Sequence, residues 1–130
     1  MSDTILIGPS GHTGRPALDT MTDYETMLRT LDMSEDDVTV CHDLLKDTVL
    51  GETRFEYGPP RHARITLQPR LGDYPAMEDA VLWHELCHAE PWVHEGKTQG
   101  HSWPWLVRLF KIPELALMDM IVGLLWLFVK

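Results

Sequence analysis

What this sequence has little of narrows its function first. Two cysteines, Cys41 and Cys87, cannot build a disulfide framework. Both fall in stretches whose spacing reads as helical, which suits buried thiols in a reducing compartment. Positive charge is also scarce, with 11 basic residues against 20 acidic ones and a formal charge of −9. Such a surface repels phosphate backbones and anionic lipid, and the densest basic stretch spreads its arginines thinly over residues 54–70. No nucleic-acid partner is expected.

The opening residues lack a charged leader and hold only Ile5-Leu6-Ile7 as an apolar run, so no secretory signal is read and a cytoplasmic location is expected. Gly8 to Gly14 is rich in glycine but lacks the Lys-Ser/Thr of a phosphate-binding loop. Residues 1–20 therefore read as an N-terminal arm, and 21–130 as a single domain with one core. The most apolar stretch, Leu115 to Val129, is broken by Asp119 and Gly123. It falls short of the ~20 residues a bilayer span needs, so a buried C-terminal helix or a surface for self-association is expected, with a tail anchor as the alternative.

The fold class expected is α+β. Thr22-Asp23-Tyr24-Glu25 has capping-box spacing, and Tyr24, Met27, Leu28 and Leu31 follow on one helical face. Ser34 to Asp37 repeats the signal ahead of Val38, Cys41, Leu44, Leu45 and Val49, which predicts a second N-terminal helix ending at Gly51. Arg54–Tyr57 and Ala63–Leu67 alternate with period two around Gly58-Pro59-Pro60, which predicts a small antiparallel sheet, a hairpin. A helix then starts near Gly72–Pro75 and runs to about Ala89, where Pro91 is expected to stop it.

That helix carries His84-Glu85-Leu86-Cys87-His88, the pattern HExxH. Residues four apart lie about 40° apart around a helix axis, so both imidazoles leave one face and can ligate one ion. Glu85 stands beside them without being a ligand. The chemistry this arrangement suits is hydrolysis, in which Zn2+ acidifies a water and polarises a carbonyl while Glu85 serves as general base. A tetrahedral site needs a third protein ligand, for which His94, His101 and Glu114 are candidates. His94 gives the short spacing HExxHxxPxxH, with Pro91 where that pattern uses glycine; His101 follows Gly100 after a longer step. Cys87 is a further soft donor, read as a packed thiol. Tyr57, His62, Tyr74 and His94 are donors able to stabilise an oxyanion, although nothing in the sequence brings them to the metal. Trp83, Trp92, Trp103 and Trp105 surround the motif and are read chiefly as packing, with Trp103 and Trp105 anchoring the segment around His101.

Ile65-Thr66-Leu67-Gln68-Pro69, then His84-Glu85-Leu86-Cys87-His88-Ala89, then Gly100-His101-Ser102-Trp103 resembles the SprT-like (Spartan-type) zinc metallopeptidases. There a strand of the form ITLNP precedes an HExxHA helix, and a later Gly-His supplies the third histidine. The resemblance covers roughly residues 54–108. It implies a zincin-like domain with N-terminal helices, a small sheet, the metal helix and a hydrophobic C-terminal helix. It further implies zinc on His84, His88 and His101, Glu85 as catalytic base, and a protein or peptide substrate. Ser102 replaces the glycine usual after that histidine. With its acidic charge and no Cys-rich ribbon or basic tail, the chain is not expected to share the DNA–protein crosslink role of that family. The alternative is a zinc-binding interaction or regulatory module without turnover.

Overall fold

Met27, Leu28 and Leu31 recur every three or four residues, and they bury together as the inner face of α1 (Tyr24–Thr30) and its C-terminal cap. The computed structural model describes residues 23–129, with side chains as far as Leu124; the expected N-terminal arm and Thr22 lie outside the described residues. The N-cap of α1 is Asp23, whose Oδ1 accepts a hydrogen bond from the Thr26 N–H at 2.8 Å.

The second N-terminal helix expected from the sequence is absent. Its cap-like residues close one turn instead, with the Ser34 N–H donating to Asp37 Oδ2 and the Asp37 N–H donating back to the Ser34 carbonyl. Val38–His42 then extends as strand β1, burying Val38 and Val40 on alternate positions. The β-branched run Val-Thr-Val favours a pleated strand, and this outweighs the helical spacing of Cys41, Leu44 and Val49. Leu44, expected on the buried face of a helix, is 82% exposed. Cys41 and Cys87 are both free, buried thiols, the first in a strand and the second in a helix.

Strand β2 (Gly51–Glu56) pairs antiparallel with β3 (His62–Leu67), forming the hairpin, while β1 pairs parallel to β3. The sheet is therefore mixed, in the order β1-β3-β2, rather than purely antiparallel. Strand β3 takes the centre because its inward residues Ala63, Ile65 and Leu67 are apolar and fully buried.

After a 3-10 turn at Pro69–Asp73, helix α2 (Pro75–Glu95) packs against β2 and β3 on one side and against two later helices on the other. Flanked by partners, it buries Leu82, Trp83 and Leu86 together with Glu78, Asp79 and Glu85, so it has no strongly amphipathic face. Glu78 meets His42 Nε2 at 2.6 Å, a buried pair that ties β1 to α2. Pro91 lies inside α2 and does not stop it. Tertiary contacts hold the last turn beyond it. The Trp92 indole N–H donates to the His62 carbonyl at 3.0 Å, and Arg61 donates to the carbonyls of Trp92 and His94 at 2.8 and 3.2 Å. Gly96, left-handed at φ 71°, then ends the helix.

A short helix that the sequence reading did not anticipate, α3 (Trp103–Leu109), follows, with Pro104 in its first turn. It buries Trp105 and Leu109, and the Leu109 carbonyl accepts from the Trp83 indole at 2.8 Å. Helix α4 (Pro113–Val129) lies along α2, burying Leu115, Ala116 and Val122 and exposing Leu117, Met120, Ile121 and Leu124. Among the described residues no helix is long and apolar enough to cross a membrane.

Candidate metal centre

His84 and His88 stand one helical turn apart on α2, and the segment between α2 and α3 returns to set His101 against them. One ring nitrogen of each lies within 4.8 Å of the others. His84 Nε2 and His101 Nε2 stand 3.1 Å apart. Two nitrogens bound to one tetrahedral zinc at about 2.0–2.1 Å would stand roughly 3.3 Å apart, so this spacing suits a shared ion.

The far side of each helix imidazole is tied down. His84 Nδ1 lies 3.0 and 3.2 Å from the two carboxylate oxygens of Asp119 on α4. His88 Nδ1 lies 2.9 Å from the Gln99 carbonyl, which accepts its proton. Each pairing puts the N–H on Nδ1 and leaves Nε2 as a lone-pair donor, the tautomer a metal requires. The loop that supplies the Gln99 carbonyl is itself clamped, because Arg108 on α3 donates to Gln99 Oε1 at 2.9 Å and to Glu90 Oε1 at 2.7 Å. Trp105 walls the cluster. Its ring stacks on His88 at 5.4 Å and meets His101 at 4.6 Å, and its indole N–H points at the His84 carbonyl.

Electrostatics follows from this packing. Burial, with the neighbouring charge of His84, pushes the His88 pKa down to about 4. Burial and His84 also lower that of His101. For His84 burial opposes the charged form, yet the Asp119 hydrogen bond and charge outweigh it and leave the pKa raised. Burial thus disfavours the charged form of His88 and His101, whereas Asp119 favours it in His84.

Glu85 is 8% exposed and lines the same cleft as His84 and His101. Thr53 on β2 donates to Glu85 Oε1 at 2.7 Å. Burial lifts the carboxyl above the usual range, with His84 and Thr53 working against that rise. Gly51 makes the close approach of β2 possible. A Cβ there would sit 2.9 Å from Val81 Cγ1 and 3.3 Å from Glu85 Cγ.

The remaining candidates lie elsewhere. A continued α2 carries His94 six residues past His88, roughly 240° around the axis, so it faces away. Its Nε2 instead meets the Leu31 carbonyl at 3.1 Å, and Glu90 lies 3.8 Å away. The expectation that Pro91 would stop the helix before His94 is corrected; His94 is displaced from the cluster because the helix persists. Glu114 is exposed in the first turn of α4 and is not part of the cluster. The Cys87 thiol is fully buried, which raises its pKa well above the ordinary value, and it too stands outside the cluster. His62 is engaged by Thr39 and the Asp36 carbonyl, while Tyr57 and Tyr74 are largely exposed. Of the tryptophans, Trp83, Trp92 and Trp105 are packed, whereas Trp103 is 74% exposed, so of the two expected anchors Trp105 is the buried one.

Asp119, Thr53, Gln99 and Arg108 are the supporting residues that sequence reasoning missed. Asp119 alone left a trace, as a carboxylate interrupting an otherwise apolar run. Comparison of the chain with family models, curated proteins and solved structures yields no match.

Proposed function

We propose that this chain is a zinc-dependent metallopeptidase of zincin type, similar to SprT-like domains, with His84, His88 and His101 as ligands and Glu85 as general base. One observation carries the reading: three imidazoles converge beside a buried carboxylate that is not among them, at the edge of an open cleft. Imidazole donors without thiolates suit zinc in a catalytic rather than a closed structural site, with the fourth position left for water or substrate. Zinc bound there supplies Lewis acidity toward water and toward the substrate carbonyl.

The chain's own residues do the rest. Asp119 and the Gln99 carbonyl hold the two helix imidazoles in the ligating tautomer. Thr53 aims the Glu85 carboxylate, and burial raises its proton affinity toward the range useful for taking a proton and handing it to a leaving amine. A module that only binds zinc has no need of a buried, oriented carboxylate beside its ligands, which favours turnover over the silent alternative.

The test has two readouts. Elemental analysis of protein purified without chelator should find about one zinc per chain. Glu85→Gln should retain that zinc while hydrolysis of an unfolded polypeptide falls by about 10²–10⁴-fold. Wild-type rates in Glu85→Gln would remove the assigned base. Metal-free, folded protein that refuses zinc would overturn the whole reading.

A further inference from the structure

Beside the three histidines lies a cleft of about 390 Å³ between the Thr48–Gly51 segment, α2 and α4. Its charged or ionisable walls are His84, Glu85, His101 and Asp119, all engaged with one another or with Thr53. The rest of the lining is almost wholly apolar, with Val49, Leu50, Val81 and Val122 prominent. Among the described residues no side chain remains there to neutralise a charged group, and burying an unpaired charge in such a recess is strongly unfavourable. An aliphatic or aromatic group gains by the same burial.

Gly123 makes the recess more telling. It sits well inside α4, where glycine is the poorest helix former apart from proline. Among the described residues no contact demands it, because a Cβ built at this position meets nothing within 4 Å. Asp119, Val122 and Gly123 share one helical face, and that face lines the cleft. Side chains on a helix lean toward its N-terminus, so any residue larger than glycine at 123 would lie back over Asp119, beside His84.

We infer that this cleft is a specificity pocket for an apolar side chain of the substrate next to the scissile carbonyl, held open by Gly123. The inference rests on the peptidase reading above and adds the class of residue recognised.

Two hydroxamates test it on the full-length, zinc-loaded chain: acetohydroxamate, and a homologue carrying an isobutyl arm. Calorimetry on the wild type should show the isobutyl probe binding at least roughly tenfold tighter, as expected for burying three further carbons. Gly123→Leu should erase most of that difference, and Gly123→Ala should reduce it, while chelator competition shows zinc affinity unchanged in both. Equal binding of the two probes to the wild type overturns the pocket and leaves the metal centre standing. Undiminished discrimination in a Gly123→Leu chain of wild-type helicity also overturns it. A wild type that discriminates the probes yet cleaves no polypeptide supports the pocket and counts against the peptidase reading alone.

Discussion

Helix α2 carries three histidines, and its middle and its C-terminal end treat them differently. His84 and His88 sit where α2 is covered by the sheet, α3 and α4, and each has its Nδ1 engaged so that Nε2 is left toward the cluster. His94, past Pro91, has Nε2 taken up by the Leu31 carbonyl and so serves to fasten the end of α2 to α1. The residue type is the same, and so is the helix. What separates a candidate ligand from a structural histidine is the partner of the opposite ring nitrogen and the helical phase. His101 belongs with the first pair although it lies on an exposed segment, because Arg108 and Trp105 hold that segment against α2.

Removing a ligand from the cluster should break the comparison most violently. Structural zinc sites are worth about 10–16 kcal/mol, on the order of 3–4 kcal/mol for each of four ligands, and the proposed site is expected to lose a comparable share with each histidine. His88→Ala is expected to weaken zinc by more than about a hundredfold in a chelator competition, since 1.4 kcal/mol is roughly tenfold. His101→Ala should be nearly as severe. His94→Ala should leave zinc affinity unchanged and cost about 0.5–1.5 kcal/mol of stability through its lost hydrogen bond. If His94→Ala released zinc and His101→Ala did not, the contrast between the middle of α2 and its C-terminal end would collapse.

Asp119→Asn probes the support behind a ligand rather than the ligand. The amide keeps the shape and an accepting oxygen but loses the negative charge behind His84, and weakening such a partner typically lowers metal affinity by about 10–100-fold. Leu117→Ala, two residues away on the exposed face of α4, serves as the comparison and should not alter zinc affinity. Equal effects from the two would mean that α4 acts only by packing.

The same contrast explains how much was legible in the sequence. His84, Glu85 and His88 were readable because their relation is set within one turn of helix, where spacing alone fixes direction. His101 needed a resemblance, since seventeen positions separate it from His84 and the α3 contacts that return it are tertiary. Gln99 was out of reach because it acts through a backbone carbonyl, which its side-chain type does not advertise. Thr53 depends on the register of β2 against β3 and on the packing of α2 across them. Asp119 could have been found by asking where a carboxylate inside an apolar helix finds its partner. The misread stretch after Ser34 has a different cause. A capping pattern satisfies the same N–H groups in a single turn as in a helix, so Ser34 and Asp37 did not by themselves specify what followed.

The smallest expected effect lies at the structural end of the comparison, in the cap of α1. Asp23 accepts the Thr26 N–H, and that hydrogen bond is the main reason its pKa is lowered in the folded chain. A carboxylate with a depressed folded pKa stabilises the fold above its unfolded pKa, near 3.8, and loses that contribution as pH falls through the folded value. Asp23→Ala should therefore reduce stability by about 1 kcal/mol at pH 7, measured by urea denaturation, with the deficit shrinking below about pH 4. Asp23→Asn should retain most of the cap and lose this pH dependence, since the amide oxygen still accepts the hydrogen bond but does not titrate. Zinc affinity should be the same in all three chains at pH 7, because α1 reaches α2 at the His94 end, where the Leu31 carbonyl is the link. A loss of zinc in Asp23→Ala at full folding would show instead that α1 helps set the histidine cluster, and the middle of α2 and its C-terminal end could no longer be treated as separate.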